Sequence, residues 1–211
     1  MTIRLNGATS GYTEIDAPSA AGNNTLILPT GNGSASQYLQ TNGTGTLSWN
    51  DPFRMVLETA KAYNWNGLTT NEVIDFENIP SWARRVTVML QGISTNGTSL
   101  FIVQLGTSGG LQTTGYVSGT GDRAGETTST AGFVLNRTGV AANTYSATVP
   151  ICLYTTNSWI TSGVINRVTD GFANQFAGAV TLSGTLDRIR ITTILAGASN
   201  QFDAGNFNIL Y

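Results

Sequence analysis

The sequence predicts an all-β protein: an antiparallel, jelly-roll-like β-sandwich over residues 51–211, preceded by an extended segment over 1–50. Three observations point there. Downstream of Asp51-Pro52, short runs of β-branched and aromatic residues recur between clusters of Gly, Asn and Ser. Val86, Val88 and Leu90 alternate with Arg85, Thr87 and Met89, the two-residue period of a half-buried strand. Upstream, Thr2 to Asn50 is built from Gly, Asn, Ser and Thr with only small apolar clusters.

Those clusters are Ile15, then Leu26, Ile27 and Leu28, then Tyr38 and Leu39, then Leu47 and Trp49. Ordering the segment costs roughly 1–2 kcal/mol per residue in backbone entropy. Each buried Leu or Ile contributes only about 1.5–3 kcal/mol. One copy therefore cannot hold 1–50 as a compact unit. Either the segment is disordered, or identical copies share a core along an axis. Each cluster sits in a short extended run bounded by turn residues, which favours the second. Leu26, Ile27, Leu28, Leu39, Leu47 and Trp49 are then the expected shared core.

Beyond residue 50, strands are expected at 53–60, 72–76, 85–93, 100–106, 114–118, 131–136, 145–154, 159–168, 176–183, 186–195 and 202–210. Residues 52–62 also fit a helix with Asp51 as N-cap and Pro52 at its first position, but one helix among ten strands is the less consistent pattern. Asn66-Gly67 and Asn96-Gly97 read as hairpin turns, because tight turns need the positive φ that Asn and Gly adopt cheaply. Residues 119–130 (GTGDRAGETTST) are polar and glycine-rich, and read as a mobile surface loop. The closing run Phe207 to Tyr211 is expected to lock into the sheet.

Composition bounds the function. The chain has 211 residues, 40% apolar, enough for one core and an appendage. Only 10% are charged and the net charge is -2. Lys61 is the only lysine, and the nine arginines are scattered apart from Arg84-Arg85. A basic field for nucleic acid is missing. No apolar run reaches the length that spans a bilayer, and the MTIRLNG start lacks a signal-peptide core, so synthesis in the cytoplasm and no membrane insertion are expected. Cys152 is alone and lies in an apolar run, where a buried small hydrophobe is expected.

The absence of histidine removes Ser/His/Asp and Cys/His chemistry and the usual catalytic zinc sites. Asp75 and Glu77 would share one face of a strand, a pattern more typical of a solvated edge than of a glycosidase pair. Asp122 and Glu126 lack the alternating acids of a calcium loop, so no metal and no cofactor is expected. Sugar recognition is the stronger candidate. Trp65 (in Tyr63-Asn64-Trp65-Asn66) and Trp159 (in Asn157-Ser158-Trp159) each set an aromatic ring beside amides and turns. The plainer reading has each indole plugging the end of the sandwich. With Asp122, Arg123 and Glu126 of the 119–130 loop, they form the expected contact region. The Asn-x-Ser/Thr matches at Asn23, Asn42, Asn96 and Asn136 are expected by chance.

EIDAPSAAGNNTLILP (14–29) followed by GSASQYLQTNGTGTLSW (33–49) resembles the repeat of tail-fibre and related appendage proteins of tailed bacteriophages, cyanophages included. IPSWARRVTVML (79–90), GISTNGTS (92–99), VQLGTSGG (103–110) and FDAGNFNILY (202–211) resemble the C-terminal domain of the same proteins. Residues 119–178 carry no matching motif. The resemblance implies a homotrimeric virion component whose N-terminal part joins other tail or baseplate proteins and whose β domain faces a host surface glycan. The shaft is almost absent here, so a short fibre, a tip or a baseplate piece fits better than a long fibre. The expected role is non-enzymatic attachment; a purely structural baseplate or head-fibre part and a polysaccharide depolymerase are the alternatives.

Overall fold

In the computed structural model, residues 3–20, 22–52, 55–64, 72–141 and 143–211 are described. Two compact units divide the chain, Met1–Arg54 and Met55–Tyr211. Among the described residues there is no helix, and the protein is all-β.

In the first unit, β1 (Ile3–Asn6) pairs antiparallel with β2 (Tyr12–Ile15), and β3 (Tyr38–Thr41) with β4 (Leu47–Asn50). Ile27 docks beside the second hairpin: its N–H donates to Gly45 O and its carbonyl accepts from Leu47 N–H, both at 2.8 Å. Gly45 permits this approach, since it has φ +95° and a Cβ there would lie 2.0 Å from Thr25 O. Two hairpins thus stand where one extended segment was expected. Among the described residues, however, the side chains of this unit form no buried core. Leu26 is 69% and Leu28 70% exposed, and Ile3, Leu5, Tyr12, Ile15, Ile27 and Leu39 are exposed too.

The second unit runs β5 (Lys61–Ala62), β6 (Ile74–Phe76), β7 (Arg85–Thr95), β8 (Phe101–Thr107), β9 (Gly110–Leu111), β10 (Val117–Asp122), β11 (Gly125–Ser129) and β12 (Phe133–Val134). It continues with β13 (Tyr145–Thr155), β14 (Ser158–Arg167), β15 (Phe172–Thr181), β16 (Arg188–Thr193) and β17 (Phe202–Leu210). An eight-stranded antiparallel sheet has the order β11-β10-β15-β14-β13-β7-β17-β5. A smaller sheet has the order β12-β8-β16-β6, with β9 on β8. Alternation puts Val86, Val88 and Leu90 inside, where they join Val149, Ile151, Ile165 and Ile209. Phe101, Val103, Leu105, Ile189 and Ile191 of the smaller sheet belong to the same core. Asn136, fully buried, is paired on both sides of its amide: it accepts from Phe101 N–H at 2.7 Å and donates to Thr138 O at 3.0 Å. That burial also closes its glycosylation motif to modification.

Several expectations are corrected. Residues 119–130 are not a mobile loop but most of the β10–β11 hairpin. Asn96-Gly97 does not turn a hairpin, because β7 and β8 lie in different sheets. Asn96 instead ties this crossing to the 198–201 segment, donating to Ala198 O and accepting from Gln201 N–H. In 53–60, residues 55–60 form neither helix nor full strand; Leu57 makes one bridge to Leu210, and Phe53 and Arg54 lie outside the described residues. Asn66-Gly67 also lies outside them. Cys152 is half-buried on the outer face of the large sheet, opposite Arg85 and Ile160.

Candidate functional site

The outer face of the large sheet is built from the opposite strand parity to the core. Gly119 lies between Thr128 and Ala177, and Gly121 between Glu126 and Gln175, while Ser162 and Val164 of β14 continue these two rows. Two glycines side by side on β10 lower the floor between neighbouring strands. The result is an open trough of about 890 Å³. Its walls offer Glu126, Gln175, Thr128, Ser162 and Arg123. These are hydrogen-bond donors and acceptors in rows along the strands, suited to a polyhydroxylated chain. Glu126 is exposed, and among the described residues it forms no ion pair.

Asp122 faces the other way and is committed internally. Its Oδ1 accepts from Ala124 N–H at 2.8 Å, which shapes the hairpin tip. Its Oδ2 accepts from Asn174 Nδ2 at 3.0 Å and lies 2.8 Å from Arg137 Nε, with the side chain 2% exposed. That Nε–H is not aimed along the contact, so the pairing is ionic rather than a directed hydrogen bond. The Arg137 side chain first, then the backbone N–H of Ala124 and the Asn174 amide, hold the Asp122 carboxyl below its ordinary pKa against the opposing effect of burial. Asp122 is thus a structural anchor of the hairpin tip. Arg123 lies over the Phe172 ring at 5.4 Å, a ring that Arg167 also covers at 4.9 Å.

The expected contact region is not one site. Trp159 does not present a ring to solvent: it is 2% exposed, on the core face of β14. It lines a separate hollow of about 430 Å³, and its Nε1–H has no hydrogen-bond partner. An unmade buried bond of this kind costs about 1–3 kcal/mol. Trp159 sits opposite Val180 and Gly121 opposite Gln175, so about 17 Å of strand separates the indole from the hairpin tip. Trp65 lies outside the described residues.

Asp75 and Glu77 are each taken up by an arginine. Arg190 donates to both Asp75 oxygens at 2.7 and 2.6 Å, and Arg188 to Glu77 at 2.9 Å. Among the described residues no three His, Cys, Asp or Glu side chains gather as metal ligands. Three expected contact residues, Asp122, Arg123 and Glu126, line the trough; sequence reasoning missed its β14 and β15 wall and its floor of glycines and alanines. Their signal was the Gly-x-Gly at 119–121, legible only once that segment is known to be a strand. No family model, no curated protein and no solved structure matches the chain.

Proposed function

We propose that the protein is a non-enzymatic component of a phage virion, a homotrimeric tail fibre that attaches to host surface polysaccharide. The observation that carries this reading is the first unit, with a hydrogen-bonded backbone and no core. Ordered apolar side chains left in water need a partner surface. Three copies around an axis supply it from Leu26, Ile27, Leu28 and Leu39, with the half-covered Leu47 and Trp49 behind them. The virion setting comes from the resemblance of residues 14–49 and 79–110 to phage appendage proteins. Attachment would be multivalent: weak sites on three chains, and on several trimers per particle, combine through effective concentration. The trough, lined with hydroxyl groups, the Gln175 amide and the Arg123 and Glu126 side chains, is one surface of the sandwich suited to glycan.

One observation favours the alternative of a purely structural tail or baseplate part: Asp122 and Trp159, two of the expected contact residues, are internal. Retention of the full-length protein on a panel of purified bacterial surface polysaccharides separates the two. Retention that E126Q/Q175A weakens supports attachment through the trough. No retention on any of them assigns the structural role, and released oligosaccharide would overturn the non-enzymatic reading.

A further inference from the structure

At one end of the sandwich, the turn 81–84 before β7, the β13–β14 turn and residues 185–186 enclose the hollow that Trp159 lines. Its polar lining is Ser81, Thr156, Asn157 and Thr185, hydroxyls and an amide, with Arg84 at the rim; Ala83, Leu153 and Leu186 supply the apolar part. Two donors there lack an anion or acceptor. An indole N–H donates only, and that of Trp159 is buried and unpartnered. Arg84 gives one bond, from Nη1 to Ser81 O at 3.2 Å, and among the described residues no carboxylate pairs with it. Arg4, Arg137, Arg167, Arg188 and Arg190 each do hold a carboxylate. No acidic side chain lines the hollow.

A buried donor, a guanidinium without a counter-ion and a ring of hydroxyl-bearing side chains fit one ligand chemistry. We propose that this hollow binds a carboxylate-bearing sugar, such as a uronic acid unit of a surface polysaccharide. Trp159 Nε1–H and Arg84 receive the carboxylate, and the Ser, Thr and Asn side chains face the ring hydroxyls. A volume near 430 Å³ lies in the range of small-molecule sites. The proposal rests on the attachment reading and names its ligand class, but places recognition away from the trough.

The test is an NMR titration of the full-length protein, following the Trp159 indole N–H resonance with D-glucuronate, D-glucose and acetate in separate series. W159F assigns the resonance; should it fail to fold, W49F, W65F and W82F assign it by elimination. Glucuronate is expected to shift it saturably, glucose not at all at the same concentration, and acetate only at higher concentration. R84Q, at an exposed side chain, should weaken glucuronate binding about tenfold, the size of a lost charge-assisted bond, with the melting temperature unchanged. Equal response to glucose, or an R84Q variant that binds as tightly as the parent, overturns recognition of the acid. Equal affinity for acetate overturns recognition of the sugar. No shift with any probe means that water alone fills the hollow, and overturns the site. If the indole is silent while the parent is still retained on a polysaccharide column, attachment stands and this site falls; if both fail, both readings fall.

Discussion

The first unit and the sandwich use the same backbone solution and differ in what lies beneath it. In 1–54, β1–β2 and β3–β4 satisfy their main-chain groups, yet Leu26, Leu28 and Ile15 remain in water. In 55–211, Val86, Val88, Val149 and Ile151 are fully withdrawn from it. Hydrogen bonds set the shape of a hairpin but contribute modest net stability, whereas burial dominates folding. A two-stranded hairpin alone is at best marginal in water. The difference teaches that the sandwich buries its own core, whereas the first unit leaves its apolar side chains in water, as half of the interface proposed above would.

The largest effect should come from breaking that half. With Leu26→Asp and Leu39→Asp combined, the oligomer should dissociate, the molar mass by light scattering falling from about three times 22.2 kDa to one. The sandwich should keep its melting transition. A wild-type protein that is already monomeric would sink the shared core. The reciprocal cut is Phe101→Ala, which removes a ring packed against Tyr145 at 5.3 Å and Phe202 at 6.0 Å. Denaturant unfolding should show a loss of about 3–5 kcal/mol in the sandwich. Light scattering below the unfolding midpoint should still find the oligomer.

How much of this contrast is legible in the sequence depends on which side chains fill the inward positions. In β7 they are Val86, Val88 and Leu90, and period two reads directly. In β10 they are Ser118 and Thr120, and the apolar signal vanishes. Thr120 Oγ1 instead donates at 2.9 Å to Leu135 O and 3.0 Å to Gln175 O, and Ser118 Oγ accepts from Val134 N–H. Both positions are buried, so a strand with a polar interior reads as a loop. Trp159 follows the plainer of its two readings, an indole buried at the end of the sandwich. Thr156-Asn157 is the turn, Ser158 already opens β14, and Trp159 takes the inward parity of that strand. The coreless character of 1–50 was legible, because few apolar groups over many turn residues can be set against backbone entropy without knowing the fold.

A subtler difference lies in pH. Tyr116 is buried in the sandwich, its OH accepting from Leu105 N–H at 2.7 Å, and burial raises its pKa from 10.0 to about 12. The unfolded chain ionises first, so stability is intact below pH 10 and is lost between pH 10 and 12. The two-unit shift corresponds to about 3 kcal/mol at most. The Y116F variant should lose its share of this alkaline step and keep the share of Tyr211, also raised to about 12, as measured by fluorescence-monitored unfolding across that window. At the acid end the sign reverses. Asp122 and Asp170, each lowered chiefly by its arginine partner, contribute stability that is present above pH 3.8 and is lost as pH falls further. The proposed oligomer, if aliphatic side chains of the first unit hold it, should be less sensitive to both excursions.

The smallest effect should come from the ion pairs of the smaller sheet. Asp75 and Arg190 face each other across β6 and β16 with two bonds, but their side chains are 34% and 31% exposed. Solvent screens such a pair, and holding two flexible side chains in register offsets part of the attraction. Asp75→Asn keeps the shape, removes the charge and should cost only about 0.2–1 kcal/mol in denaturant unfolding. Raising the salt concentration should shrink the gap between variant and parent further, since screening weakens the pair only where it exists. Glycan retention should be unchanged. A loss of several kcal/mol would show that this edge carries stability assigned here to the apolar core, and would narrow the contrast between the two units. A loss of retention with stability intact would instead move the binding surface to the smaller sheet.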